Sequence, residues 1–145
     1  QLFPNEVLAP GAMGRVSSLV LVYADLRGLV VDKTGDDEAR AFSQIYSAFK
    51  EIEAQVAATG GSVVKLMGDG VLAVFDEPAD AVRAALKLDD ALANVSGSLR
   101  VHAAVHRGPA AAVTLNERLD YFGSSVVVVQ ELAKKPAGGR VVVRD

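Results

Sequence analysis

The stretch Gly60-Gly61-Ser62-Val63-Val64-Lys65-Leu66-Met67-Gly68-Asp69-Gly70-Val71-Leu72-Ala73-Val74-Phe75 constrains this chain more than any other. It reads as two apolar strands folded about a tight turn. Asp-Gly between apolar runs is a strong hairpin signal, because both central residues of the favoured turn take φ > 0. Gly60-Gly61 stops whatever precedes it. A plain hairpin requires neither the lysine inside its first strand, Lys65, nor the carboxylate at its tip, Asp69.

The remaining elements fall around this hairpin. Ser18 to Tyr23 is a continuous apolar run of strand length, as expected of a central strand buried on both faces. It leads into Ala24-Asp25-Leu26-Arg27-Gly28, which places an acid just past the strand end, where sites tend to sit in α/β folds. Asp36 and Asp37 offer a helix N-cap and an acidic first turn. Phe42, Ile45, Tyr46, Phe49, Ile52 and Val56 follow at helical spacing and predict one apolar stripe facing the core. After the hairpin, Asp76 and Pro78 read as a cap and a proline at the first helical position. Ala81, Val82, Ala85, Leu88 and Leu92 form the stripe of a second helix.

Leu99 to Val105 reads as a strand, His106 to Pro109 as a turn, Ala110 to Val113 as a short strand, and Leu115 to Phe122 as a charged loop. Ser124 to Lys135 is read as a helix despite four consecutive valines, which are weak helix formers. The run Val126 to Val129 suits either helix packing or a dimer surface. Pro136 to Gly139 turns, and Val141 to Val143 is a last strand. Residues 1–16 read as a lead-in and 17–145 as the domain. The fold class is α+β, a ferredoxin-like βαββαβ core with an antiparallel-containing sheet and helices on one face.

At 145 residues the chain holds one domain with a single core. Half of it is hydrophobic and few residues are aromatic, so that core is built mainly of Val, Leu and Ala. A formal net charge of −3 without a basic block argues against nucleic-acid binding by a charged face. No cysteine occurs, which excludes disulfides and thiolate metal sites. The apolar runs are shorter than a membrane span and no signal-peptide pattern opens the sequence. The expectation is a cytoplasmic domain, or the cytosolic part of a larger protein, with no direct membrane insertion.

In a βαββαβ sheet the first and third strands are neighbours, so Asp25 and Asp69 can meet. Two carboxylates repel unless a cation lies between them. Mg²⁺ suits such a place, being hard and held by one or two carboxylates plus phosphates. Gly28, Gly68 and Gly70 allow close approach of backbone to phosphate. A plainer reading stands beside this one. Asp69 suits a left-handed turn position, Asp25 a local cap, Lys65 a snorkelling strand residue and Asp120 a solvated loop acid. His102 and His106 read as ordinary sheet-edge residues.

Val22 to Gly28, the hairpin from Gly60 to Phe75, Ala104 to Pro109 and Asp120-Tyr121-Phe122-Gly123 occur in this order. Together they resemble the catalytic domain of class III nucleotidyl cyclases (adenylate and guanylate cyclases). The resemblance implies that Asp25, Leu26 and Asp69 hold two Mg²⁺ or Mn²⁺ ions. It implies that the backbone around Gly28 and Leu29 touches the phosphates, and that Lys65 and Asp120 read the base. A lysine donor to N1 and a carboxylate acceptor for the 6-amino group suit adenine. The implied reaction converts ATP to cyclic AMP and pyrophosphate, and the implied assembly is a homodimer or a heterodimer with another cyclase domain.

The chain also departs from that pattern. Where the family carries an asparagine on the ribose and, four residues on, an arginine on the transferring phosphate, this chain has Val127 and Glu131. No asparagine follows Gly123, and in a slipped register Lys134 or Lys135 could replace the arginine's charge but not its planar fork. Weak or lost turnover is the expectation, with a non-catalytic dimerisation and nucleotide-binding module, or the metal-bearing half of a heterodimer, as the alternatives.

Overall fold

Strand β1 (Met13–Arg27) is paired along both edges, antiparallel to β3 (Gly70–Phe75) on one side and to β4 (Arg100–Leu115) on the other. The computed structural model describes residues 13–28, 37–67, 70–95, 99–115, 118–135 and 141–144. Among these, β2 (Ser62–Met67) lies outside β3, giving the order β2-β3-β1-β4. That is the order a βαββαβ core requires. The far edge of β4 is shared by two strands. β5 (Arg118–Phe122) pairs antiparallel with Ala111 to Leu115, and β6 (Val141–Arg144) runs parallel to Ala103 to His106.

Alternation along β1 divides the core in two. Val20, Val22, Ala24 and Leu26 face α1 (Asp37–Ala58) and α2 (Pro78–Ala93). Leu19, Leu21 and Tyr23 face α3 (Ser124–Lys134), which packs through Val126, Val129 and Ala133. A strand covered on both faces needs apolar residues at every position, which is why Leu19 to Ala24 is unbroken. Gly60, at φ 89°, ends the α1 segment. The Gly61 N–H reaches back 2.9 Å to the Val56 carbonyl, closing the helix end.

Several expectations are corrected. β1 starts at Met13, inside the stretch read as lead-in, because Met13 to Val16 pair with Ala110 to Val113. Asp25 therefore lies within the strand and not past its end. His106 to Pro109 is not a turn, since β4 runs through it. Between Val16 and Leu19 the register shifts by one residue, which sets Ser17 and Ser18 against Pro109. Pro109 has no N–H to offer a ladder, and an irregularity of this kind is where a strand accommodates it. Leu115 to Phe122 is not a loop, because Arg118 to Phe122 forms β5. The two helices of the βαββαβ core, α1 and α2, do share one face, and α3, which follows that core, covers the opposite one.

The α1 stripe holds only in its second half. Ala48, Ile52 and Val56 are buried, whereas Phe42 is 70% and Tyr46 55% exposed. The α2 N-cap is Glu77, not Asp76, and makes no side-chain cap bond, while Pro78 does open the helix. The valine run of α3 splits between packing (Val126, Val129) and solvent (Val127). The expected cap Asp36, the hairpin tip Gly68-Asp69 and the turn at 136–139 lie outside the described residues.

Candidate functional site

Lys65 owes its direction to an extra residue in β2. The register runs Val63↔Ala73 and then Lys65↔Leu72, so Val64 and Lys65 together oppose Leu72. Such a bulge re-aims the side chains that follow it. Val63 packs on the α1/α2 side. Strict alternation would send Lys65 there too, whereas the bulge aligns it with Leu72 on the α3 side.

There Lys65 Nζ donates to Asp120 Oδ2 at 3.0 Å. The Tyr121 N–H donates to the other oxygen, Oδ1, at 2.7 Å and fixes the carboxylate. The ammonium also lies 5.0 Å from the centroid of the Phe122 ring. Both charged side chains are partly exposed, so the pair contributes on the order of 1 kcal/mol to stability. Its main effect is to hold a donor and an acceptor side by side.

Asp25 is 7% exposed. Its Oδ2 accepts from Arg27 Nε at 3.1 Å. The same guanidinium reaches the C-terminal end of α3, where Arg27 Nη2 donates to the carbonyls of Ala133 (3.4 Å) and Lys134 (3.2 Å). One cation therefore neutralises a buried acid and caps a helix whose last carbonyls lack partners. Among the described residues, no hydrogen bond or ion pair links the Asp25–Arg27 pair to the Lys65–Asp120 pair.

The other expected site residues divide as follows. Gly28, at φ 80°, has a backbone conformation that side-chain-bearing residues rarely adopt, and leaves β1 just after Arg27. Leu26 is buried, with its side chain in the α1/α2 core, so only its backbone is available to a ligand. Asp69 and Leu29 lie outside the described residues. Asp69 is the chain neighbour of Gly70, which is the cross-strand partner of Asp25. Val127 and Glu131 are both exposed on α3, one turn apart. Lys134 and Lys135 are exposed at its end.

Two residues with evident contacts, Arg27 and Phe122, stand in the quoted motifs but were assigned no role there. Both carried a signal. Each stands two positions from a candidate acid in a strand, and residues i and i+2 share a face. Asp25 fits a hard divalent ion in chemistry, as a buried carboxylate oxygen donor balanced by one side-chain cation. Among the described residues no group of three or more His, Asp or Glu gathers into a metal cluster.

The Arg27 clamp has a measurable consequence. Arg27→Ala leaves Asp25 without its partner and uncaps α3, and is expected to destabilise by about 1–3 kcal/mol. Urea unfolding should show Arg27→Ala and Asp25→Ala losing less together than the sum of the two alone. Strict additivity would mean that the pair contributes nothing.

No protein-family model matches the chain. Over 139 residues it is 32% identical to an uncharacterized protein of Mycobacterium tuberculosis, an alignment covering 91% of this chain and 35% of that protein. The chain thus spans about a third of the length of the curated relatives it matches. Among solved structures, a class III adenylyl cyclase-like ATP-binding protein from Pseudomonas aeruginosa matches with a TM-score of 0.75 at 20% identity, over 95% of this chain and 35% of that one. The adenylyl cyclase CyaB from P. aeruginosa matches at 0.71 and 15% identity, over 91% and 78%. A guanylate cyclase domain from Catenaria anguillulae in complex with GTP matches at 0.67 and 19%, over 81% and 72%. No described helix is long and apolar enough to cross a membrane.

Proposed function

We propose, for a chain that has the class III nucleotidyl cyclase fold, an adenine-type cyclase-like domain that binds ATP with divalent metal and turns it over slowly or not at all. One observation carries this reading: Lys65 and Asp120, 55 residues apart in sequence, form a 3.0 Å donor–acceptor pair. A lysine N–H can donate to adenine N1, and a carboxylate oxygen has a second lone pair for the 6-amino group. Guanine presents the opposite pattern at both positions.

Asp25 and Asp69, with the Leu26 backbone, would hold Mg²⁺ or Mn²⁺. Ions bound there would supply a lowered pKa at the ribose 3′-hydroxyl and charge neutralisation of the triphosphate. The backbone at Gly28 and Leu29 binds phosphate oxygens and orients the chain of phosphates. In-line attack of the 3′-oxygen on the α-phosphate forms the cyclic ester and releases pyrophosphate. The domain works as a dimer, homo- or heteromeric, in which Asp25 of one chain and Lys65 and Asp120 of the other complete a site. Val127 and Glu131 replace the donors that would act on the ribose and the transferring phosphate. Loss of one preorganised donor costs about 10²–10³ in rate.

The test is cyclic AMP formation from ATP and Mn²⁺, compared with an Asp25→Ala, Asp69→Ala control. Product above the control supports a working cyclase. A second reading, a nucleotide-binding dimerisation module without turnover, is favoured by Glu131, whose acid would repel a triphosphate. Calorimetric binding of a non-cyclisable ATP analogue without product selects that reading. Equal affinity for ATP and GTP analogues sinks the adenine assignment.

A further inference from the structure

We infer that Phe122 is a positioning residue for base recognition: its ring holds the Lys65 ammonium against Asp120 and thereby sets the preference for adenine over guanine nucleotides. The inference rests on reading Lys65 and Asp120 as the base-contacting pair, and it adds a residue to which that reading assigns no role.

The alternation of β5 supports it. Leu119 and Tyr121 are fully buried in the α3-side core and anchor the strand. Asp120 and Phe122 alternate with them along β5, so their side chains leave the strand on the same side as each other. Lys65 meets both, with Nζ 3.0 Å from the carboxylate and 5.0 Å from the ring centroid. Burial does not account for the ring, because Phe122 is 43% exposed.

A lysine also needs a second constraint to be selective. Its side chain has four rotatable bonds, and one partly exposed ion pair does not order it. A carboxylate on one side and an aromatic face on the other confine the ammonium to one place. The N–H that remains then points in one direction. An ammonium released from the ring can swing to donate to the guanine carbonyl as readily as to adenine N1, and discrimination falls. The contact is worth a factor of about two to five in affinity at a partly exposed site.

The experiment compares Phe122→Leu, Phe122→Trp and Lys65→Met with the unmodified protein. Binding of non-cyclisable ATP and GTP analogues is measured by calorimetry, and the Lys65 ε-methylene proton shifts by NMR without nucleotide. Phe122→Leu is expected to weaken the ATP analogue about two- to five-fold and leave the GTP analogue unchanged, with Phe122→Trp restoring the ratio. The ring-current shift of the Lys65 ε-protons should vanish in Phe122→Leu and persist in Phe122→Trp. If Lys65→Met changes the ratio and Phe122→Leu does not, the positioning role is overturned while base reading stands. If neither changes it, the base-reading assignment fails and takes this inference with it. Absence of a ring-current shift in the unmodified protein overturns the inference without reference to any nucleotide.

Discussion

Replacing Val127 by Asn and Glu131 by Arg together should raise cyclic AMP formation by about 10²–10³-fold over the unmodified chain. Both positions are open to solvent, with Val127 53% exposed. The packing of α3 is carried by Ser125, Val126, Val129 and Ala133, none of which is altered. Val and Asn have similar helix propensities. Arginine near a helix C-terminus interacts better with the helix dipole than the glutamate it replaces. The substitutions therefore change chemistry with little structural cost. They supply a ribose donor and a planar cation for charge developing on the phosphate, and they remove an acid that repels it. Cyclic AMP is measured with ATP and Mn²⁺, with Asp25→Ala added to the same double variant as the control. An unchanged rate in a folded, ATP-binding double variant would show that the impairment, if any, lies elsewhere.

Gly70→Ala should be the most damaging small substitution in the hairpin. A Cβ at Gly70 would overlap the Tyr23 hydroxyl. Tyr23 is fully buried, and its hydroxyl donates to the Met67 carbonyl at 3.2 Å, tying β1 to the end of β2. The ring has no free space to enter, so the strand or the ring must move. Overpacking of this kind, with a strained hydrogen bond, costs about 2–4 kcal/mol. The urea midpoint should fall accordingly. In a Tyr23→Ala background the same change at Gly70 should cost little, because the obstructing ring is gone. An equal loss in both backgrounds would place the cause in the turn and not in Tyr23. Gly70 is also the cross-strand partner of Asp25, so displacement here reaches the backbone of that acid.

The hairpin, the two core helices and the central strand were legible because each is specified locally, by turn residues, by spacing and by an unbroken apolar run. The candidate residues Asp25, Lys65 and Asp120 were legible as types in a family-like order. What was not legible depends on pairing between distant segments. Pro109 looked like a turn because a proline normally ends a ladder, and only the irregularity at Ser17-Ser18 on the partner strand makes it tolerable. The charges of Arg118 and Asp120 looked like a loop, yet their backbone is satisfied by β4. The direction of Lys65 depends on one extra residue, Val64, which alternation alone cannot reveal. Phe42 and Tyr46 fit the period of a buried stripe, but periodicity says which side of α1 is apolar and not how far along the helix the sheet extends beneath it.

The double pairing of β1 also bears on how the chain is made. Met13 pairs with Val113, a hundred residues later, and Arg27 with Arg100. Closing contacts so far apart in sequence is entropically slow. During synthesis, β1 can join the completed hairpin through β3 well before β4 has emerged. Until then its second edge, an apolar strand with unpaired backbone, is open to other chains. A polypeptide arrested before Arg100 should therefore aggregate, whereas release after Leu115 should yield a chain whose central strand is already covered.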